Sequence, residues 1–249
     1  MKGEQPAGPI HLNPASELAE RVLLPGDPHR ALAVAQALLE EPRMFNHHRG
    51  LWGYTGTARD GDPVTVQSTG MGGPSAAIVV EELIALGARR LVRIGTCGAL
   101  SAELELGELV TATGVIAADG ASRSLGAGER IIPDPALTDA LAAAAHGVAG
   151  TVASTDLFYD PRKEDVDRWR AAGALAVDME AATVLQLARV RGVRAACLLA
   201  VSDQLGGPDG RRLGGPNGRR RISREALEEA GLRLGRAALA ALSGSRLKG

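Results

Sequence analysis

The chain has 249 residues, 45% hydrophobic and 23% charged, with a formal net charge of -1. That length can bury a core large enough for one α/β domain. Near-neutral charge excludes a general nucleic-acid or membrane-surface role, so any anion site has to be a local cluster of arginines. With Trp, Tyr and Phe occurring 2 times each, a base-stacking RNA platform is excluded as well. No apolar run is long enough to span a membrane, and Met1-Lys-Gly-Glu-Gln-Pro6 has no apolar signal core, so a cytoplasmic location is expected. Cys97 and Cys197 lack a CxxC spacing and read as reduced thiols. His11, His29, His47, His48 and His146 show no metal-ligand spacing, so neither a metal nor a cofactor is expected.

In chain order, residues 1–18 read as a lightly tethered arm. Arg21–Leu24 is a short strand, and Pro25-Gly-Asp-Pro28 turns into a helix. Asp27 is its N-cap, Pro28 its first residue, and Ala31, Leu32, Ala35, Leu38 and Leu39 its inner face. Pro63–Gln67 is a strand, followed by Gly70-Met-Gly-Gly-Pro-Ser75 and an apolar helix ending at Leu86-Gly87. Arg90–Ile94 and Leu109–Ala112 are strands, Pro135–His146 an Ala-rich helix, and Gly150–Ala153 a strand. Leu175–Val177 ends another buried strand. A helix that is apolar nearly all round starts at Glu180 and stops at Gly192. Val193–Val201 is a continuous buried strand ending in Ser202-Asp203. A flexible Gly/Arg-rich loop then covers 206–222, and a C-terminal helix covers 223–243.

Strands alternating with helices predict one α/β domain over 1–249, with a central, mostly parallel twisted sheet flanked by helices on both faces. Ligands in such sheets bind beyond the carboxyl ends of the strands. Gly26-Asp27, Gly70–Gly73, Gly95–Gly98, Asp156, Met179-Glu180 and Ser202-Asp203 all fall at those ends, which predicts one pocket collecting them.

Three features carry chemistry. Glu180 sits where a buried strand turns into a buried helix, so it is either a helix-capping acid or a ligand-binding one. Gly26 opens a helix N-terminus suited to an anion, with Arg30 in the same first turn. Arg93 lies inside an apolar strand and needs a partner, either an internal carboxylate or a bound anion. An internal pair accounts for Arg93 alone equally well. It accounts less well for Gly26, Arg30, Arg93 and Thr96 all lying at strand ends. Gly70-x-Gly-x-x-Ser75 has Ser75 where a dinucleotide fingerprint needs its third glycine, and reads as a tight turn.

Six collinear stretches then resemble the hexameric purine nucleoside phosphorylase / uridine phosphorylase family. They are Leu24-Pro-Gly-Asp-Pro-His-Arg30, His48-Arg-Gly-Leu-Trp-Gly-Tyr-Thr-Gly56, Arg93-Ile-Gly-Thr-Cys-Gly-Ala99, Asp156-Leu-Phe-Tyr159, Val177-Asp-Met-Glu-Ala-Ala182 and Val201-Ser-Asp203. The resemblance implies reversible phosphorolysis of a purine (deoxy)ribonucleoside to free base and α-(deoxy)ribose 1-phosphate, with inorganic phosphate as co-substrate. It implies phosphate binding by Gly26, Arg30, Arg93 and Thr96, joined by Arg49 from a neighbouring subunit. It implies that the neighbour's His11 reaches the ribose 5′-hydroxyl and that Met71, Met179 and Glu180 hold the ribose. Phe158 and Val177 would wall the base pocket, with Asp203 as proton donor to the purine and Ser202 beside it. It further implies a homo-oligomer, a trimer of dimers sharing Arg49 and His11.

Asp203 favours purine over the family's uridine branch, which lacks this acid. The stretch after Tyr159 also has no pyrimidine-reading Gln-x-Arg. An arginine that assists the aspartate falls at Arg224 on counting back from the last helix, with Arg211, Arg212 and Arg219 as rivals. Uridine phosphorylase, 5′-methylthioadenosine phosphorylase and a non-catalytic nucleoside sensor are the alternatives.

Overall fold

The structure is a computed structural model that describes residues 8–159, 163–205 and 219–244. Its first strand, β1 (Arg21–Pro25), has all five residues buried, and α1 (Pro28–Leu38) follows. Asp27 caps α1 by accepting from the His29 N–H at 2.7 Å. Ala31, Val34 and Ala35 form the buried face of α1, while Leu32 and Leu38 are only half-buried. Edge strand β2 (Glu40–Asn46) and its neighbour β3 (Gly53–Thr57) come next, then β4 (Pro63–Gln67) and α2 (Gly73–Leu86), which Gly87 ends in the left-handed region. Composition hides β2, a largely exposed edge strand that carries a proline and lacks alternation.

The central strands outrun their expected ends. β5 is Arg90–Ala99, β6 Leu109–Ala118, β8 Val148–Thr155 and β10 Arg194–Leu205, while β9 is Ala174–Asp178. Short α3 (Gly120–Ser124) and β7 (Arg130–Ile131) separate β6 from α4 (Pro135–Ala145). α5 (Lys163–Ala171) precedes β9, and α6 (Ala181–Arg191) lies between β9 and β10. β11 (Arg219–Arg221) and α7 (Arg224–Gly244) close the chain. Most of the expected Gly/Arg loop, 206–218, lies outside the described residues.

β4, β1, β5 and β10 run parallel, as do β6, β8 and β9, with antiparallel pairs at the edges and between the two groups. Because β5 pairs with both β10 and β9, the run β5-β10-β6-β8-β9 closes on itself. Successive residues in a strand face opposite sides, and the core shows it. Leu24, Cys97 and Leu199 join α2 and α6 in one apolar layer, whereas Leu23, Ile94 and Leu198 join α1, α4 and α7 in the other. Helices thus cover both faces, and the carboxyl ends of the parallel strands open toward one pocket.

The arm is tethered from Ile10 onward. The Glu82 carboxylate of α2 accepts the backbone N–H groups of Ile10, His11 and Leu12 at 3.0, 2.9 and 2.7 Å. Among the described residues no helix is long and apolar enough to cross a membrane.

Candidate active site

A cavity of about 470 Å³ lies at the carboxyl ends of β1, β5, β9 and β10, within the roughly 300–1,000 Å³ of small-molecule sites. Gly26, Arg30, Met71, Arg93, Thr96, Phe158, Val177, Met179, Glu180, Ser202 and Asp203 all line it, so one pocket collects most of the residues singled out from the sequence.

At its floor is a buried charge network. Arg93, 3% exposed, donates from Nε to Asp178 Oδ2 at 2.9 Å and from Nη2 to Glu180 Oε2. Its Nη1 is buried without a partner. Gly95 permits this fold-back, since a Cβ there would lie 2.6 Å from Nη2. The internal-carboxylate reading of Arg93 is therefore correct for two of its three donor nitrogens. The third is left for something else.

Asp178, to which the sequence reading assigned no role, anchors this network. It accepts from the Ser154 hydroxyl at 2.5 Å and from the Ala181 N–H at 2.9 Å, so it caps α6 while anchoring Arg93. Glu180 occupies the N-cap position but makes no cap hydrogen bond with its side chain. It instead accepts from the Gly72 N–H at 2.5 Å and from Arg93, which removes the capping explanation for this acid. Burial pushes the Glu180 carboxyl up, Arg93 pulls it down and Asp178 pushes it up again, with a net rise. Burial would lower the Arg93 guanidinium, but Glu180 and Asp178 outweigh it and hold the charge. Arg30, lowered mainly by burial, is the second cation lining this end.

The opposite end is apolar, with Leu157, Phe158, Trp169, Val177 and Leu205 around Asp203. A β-bulge between Val201 and Asp203 breaks the β10–β5 register, bringing Asp203 opposite Gly98. A Cβ on Gly98 would lie 3.1 Å from Asp203 Oδ2 and 2.3 Å from Leu205, so the strands meet here only over glycine. The Ser202 hydroxyl sits 3.0 Å from Asp203 Oδ1 and 3.2 Å from the Cys97 carbonyl. Burial raises both thiols, Cys97 and Cys197, which keeps them protonated and unsuited to nucleophilic work.

Three expected residues are not brought to this pocket. Arg224 is 87% exposed at the start of α7 and pairs with Glu228 at 3.0 Å. Arg221 lines the pocket along with Arg30 and Arg93, and its register partner across β10–β11 is Asp203. Counting back from the last helix does not reach Arg221, because β11 lies between loop and helix and a three-residue strand of arginines has no apolar period to reveal it. The rivals Arg211 and Arg212 lie outside the described residues, and Arg219 pairs in backbone register with Leu205. His11 and Arg49 lie outside the pocket lining, together on one surface. His48 Nδ1 is 3.1 Å from the His11 carbonyl, and His11 Nδ1 is 2.7 Å from Glu82. Arg49 holds φ 57° and ψ 21°, a left-handed conformation uncommon outside glycine. Among the described residues no cluster of His, Cys, Asp or Glu is arranged to hold a metal ion.

Comparison with known proteins agrees with this geometry. The sequence model of the Phosphorylase superfamily matches residues 20–243. A purine nucleoside phosphorylase DeoD-type from Clostridium beijerinckii is 37% identical over 203 residues, covering 78% of this chain and 85% of that protein. A guanosine phosphorylase from Halorubrum lacusprofundi is 39% identical over 195 residues, covering 76% and 80%. A match over nearly the whole described chain, joined to relatives at this identity and coverage, makes this protein a member of the Phosphorylase superfamily.

Proposed function

We propose that this protein is a purine nucleoside phosphorylase, transferring the pentosyl group of a purine nucleoside to inorganic phosphate. The observation that carries this reading is the unpartnered Nη1 of buried Arg93, in one cavity with Arg30, Thr96, Glu180 and Asp203. A buried guanidinium N–H without a partner calls for one, and an anion bound in the cavity that Arg93 lines would supply it. Arg30 and the backbone at Gly26 supply further positive potential at the same end. A carboxylate in that cavity suits a sugar diol, and an apolar wall ending in an acid suits a base that must be protonated as it leaves.

The mechanism follows from this polarity. Phosphate sits at the Gly26, Arg30, Arg93 and Thr96 end, and Glu180, with Met71 and Met179, holds the ribose. Breaking the glycosidic bond builds positive charge on the sugar, which the phosphate stabilises and then captures at the anomeric carbon. Negative charge builds on the base, lodged between Phe158 and Val177, and Asp203 supplies the proton there, with Ser202 and Arg221 beside it. No metal or organic cofactor enters these steps. The chain is proposed to act in the cytoplasm.

His11 and Arg49 enter this scheme through a second copy. Both lie on the surface that also carries exposed Ile10, and Met71, 88% exposed, stands on the pocket rim. We assign them to the neighbour's pocket, in a homo-oligomer of dimers up to a hexamer. Light scattering tests this: an active monomer contradicts shared sites.

The reaction itself is tested by incubating the protein with inosine or guanosine. Base and pentose 1-phosphate should appear only when phosphate is supplied, and release without phosphate overturns the reading. Adding adenosine, methylthioadenosine and uridine ranks the neighbouring specificities, while tight nucleoside binding without turnover would mark a sensor.

A further inference from the structure

The expected base wall comprised Phe158 and Val177, but the apolar end contains a larger side chain that no sequence pattern singled out. α5 is polar along most of its length, and only Val166 and Trp169, three residues apart on one face, are buried. Trp169 is 6% exposed and packs in a small cluster with Leu100, Ala153, Ala174 and Val177. The next residue fixes its place. Arg170 donates from Nε to the Leu100 carbonyl at 2.9 Å and from Nη2 to the Leu205 carbonyl at 2.8 Å, pinning α5 across the ends of β5 and β10.

Trp169 lines two cavities at once. One is the pocket described above, and the other is a depression of about 820 Å³ on the far side of the β8 end, where Thr155 and Leu157 are also shared. That second space is polar, bordered by Arg123, Arg130, Asp119 and Asp156, and nothing in the proposed reaction uses it. Although packed in its cluster, Trp169 borders both spaces, as a partition does.

We propose that Trp169 is a specificity-determining residue, a wall that closes the base end against the second cavity and limits the leaving group to an unextended bicyclic base. The proposal rests on the phosphorylase reading. The indole supplies a broad apolar surface for the base, and its loss joins the two spaces. Trimming it should weaken binding of ordinary nucleosides while admitting bases that carry a bulky substituent, at the scale of roughly tenfold or more that pocket-filling groups command.

The test compares wild type with Trp169→Leu and Trp169→Ala on inosine and on purine ribonucleosides bearing a benzyl group on the exocyclic amine or at the neighbouring ring carbon. The expected result is a rise of about tenfold in kcat/KM for at least one extended nucleoside relative to inosine, with KM for phosphate unchanged. An unchanged ratio for every extended nucleoside, in variants that keep wild-type circular dichroism, overturns the proposal. So does an equal rise in the KM of phosphate, which marks a general loss of packing. Trp169→Leu keeps an apolar side chain in the cluster and carries the test if Trp169→Ala does not fold. A wild type inactive on inosine with phosphate removes the phosphorylase reading itself, a result distinct from active variants whose selectivity does not move.

Discussion

Two buried arginines on the neighbouring parallel strands β1 and β5 differ in how completely their hydrogen-bond shells are filled. Arg21 begins β1 and is 2% exposed; Arg93 lies in β5, paired in register with Leu24, and is 3% exposed. By burial they are indistinguishable. Arg21 donates from Nη1 and Nη2 to the two Asp60 oxygens at 2.6 and 3.0 Å and from Nε to the Pro63 carbonyl at 3.2 Å. Every donor nitrogen has a partner, so nothing further is called for. Arg93, which lines the cavity, shares two buried carboxylates and still keeps one buried nitrogen without a partner. Burial alone does not separate the two; the completeness of the hydrogen-bond shell, together with a place in the cavity lining, does.

That contrast can be broken most severely at the carboxyl ends of the strands. Asp203→Ala should lower purine nucleoside turnover by about 10²–10⁴-fold, the usual contribution of a general acid. Full activity in a steady-state assay would remove Asp203 from the chemistry. Arg93→Lys keeps the charge but loses the fork that grips Asp178 and Glu180 together, so kcat/KM for phosphate should fall on the order of 10²-fold. If phosphate KM stays put, the bare nitrogen is not an anion ligand.

Arg221→Ala should reduce kcat by roughly tenfold, since it removes one charge near Asp203. Arg224→Ala, exposed and paired with Glu228, should leave kcat unchanged. The reverse order would restore the assignment made by counting back from α7.

The smallest effects belong to the amino end. Asp60→Ala should destabilise the fold by roughly 1–3 kcal/mol, read by urea unfolding, and leave the KM of phosphate untouched. Hydrogen bonds from Arg21 hold the Asp60 carboxyl well below the usual carboxylate range. A depressed folded-state pKa stabilises above the ordinary carboxylate value of roughly 4 and loses that stability as pH falls toward the folded value. The stability gap between wild type and Asp60→Ala should therefore narrow as the pH drops from neutrality to about 3. A gap that widens in acid contradicts the pairing.

Strand and helix assignments that rested on a clean apolar period, such as β1, α2 and α6 with its stop at Gly192, were legible directly. So was the convergence of Gly26, Arg93 and Asp203, because β1, β5 and β10 run parallel, whereas Glu180 arrives from β9, which meets β5 antiparallel. Apart from exposed β2, the illegible parts share one cause. β5 and β10 extend through glycines, a bulge and polar residues, where side chains answer to the opposite strand and not to their own period. The places of Asp178, Arg221 and Trp169 likewise depend on partners far away in the chain.

Local pattern, set by the amino-acid order alone, was enough to determine that this is an α/β chain with Gly26, Arg93, Glu180 and Asp203 gathered at its strand ends, while the roles expected of Glu180 and Asp203 came from the family resemblance. Only the folded sheet decided which nitrogen of Arg93 is left bare, that Asp178 and not Glu180 caps α6, and that Arg221 stands beside Asp203. Hydrogen bonds are satisfied in space, and the partners that complete or fail to complete them are brought together by the register of strands distant in sequence.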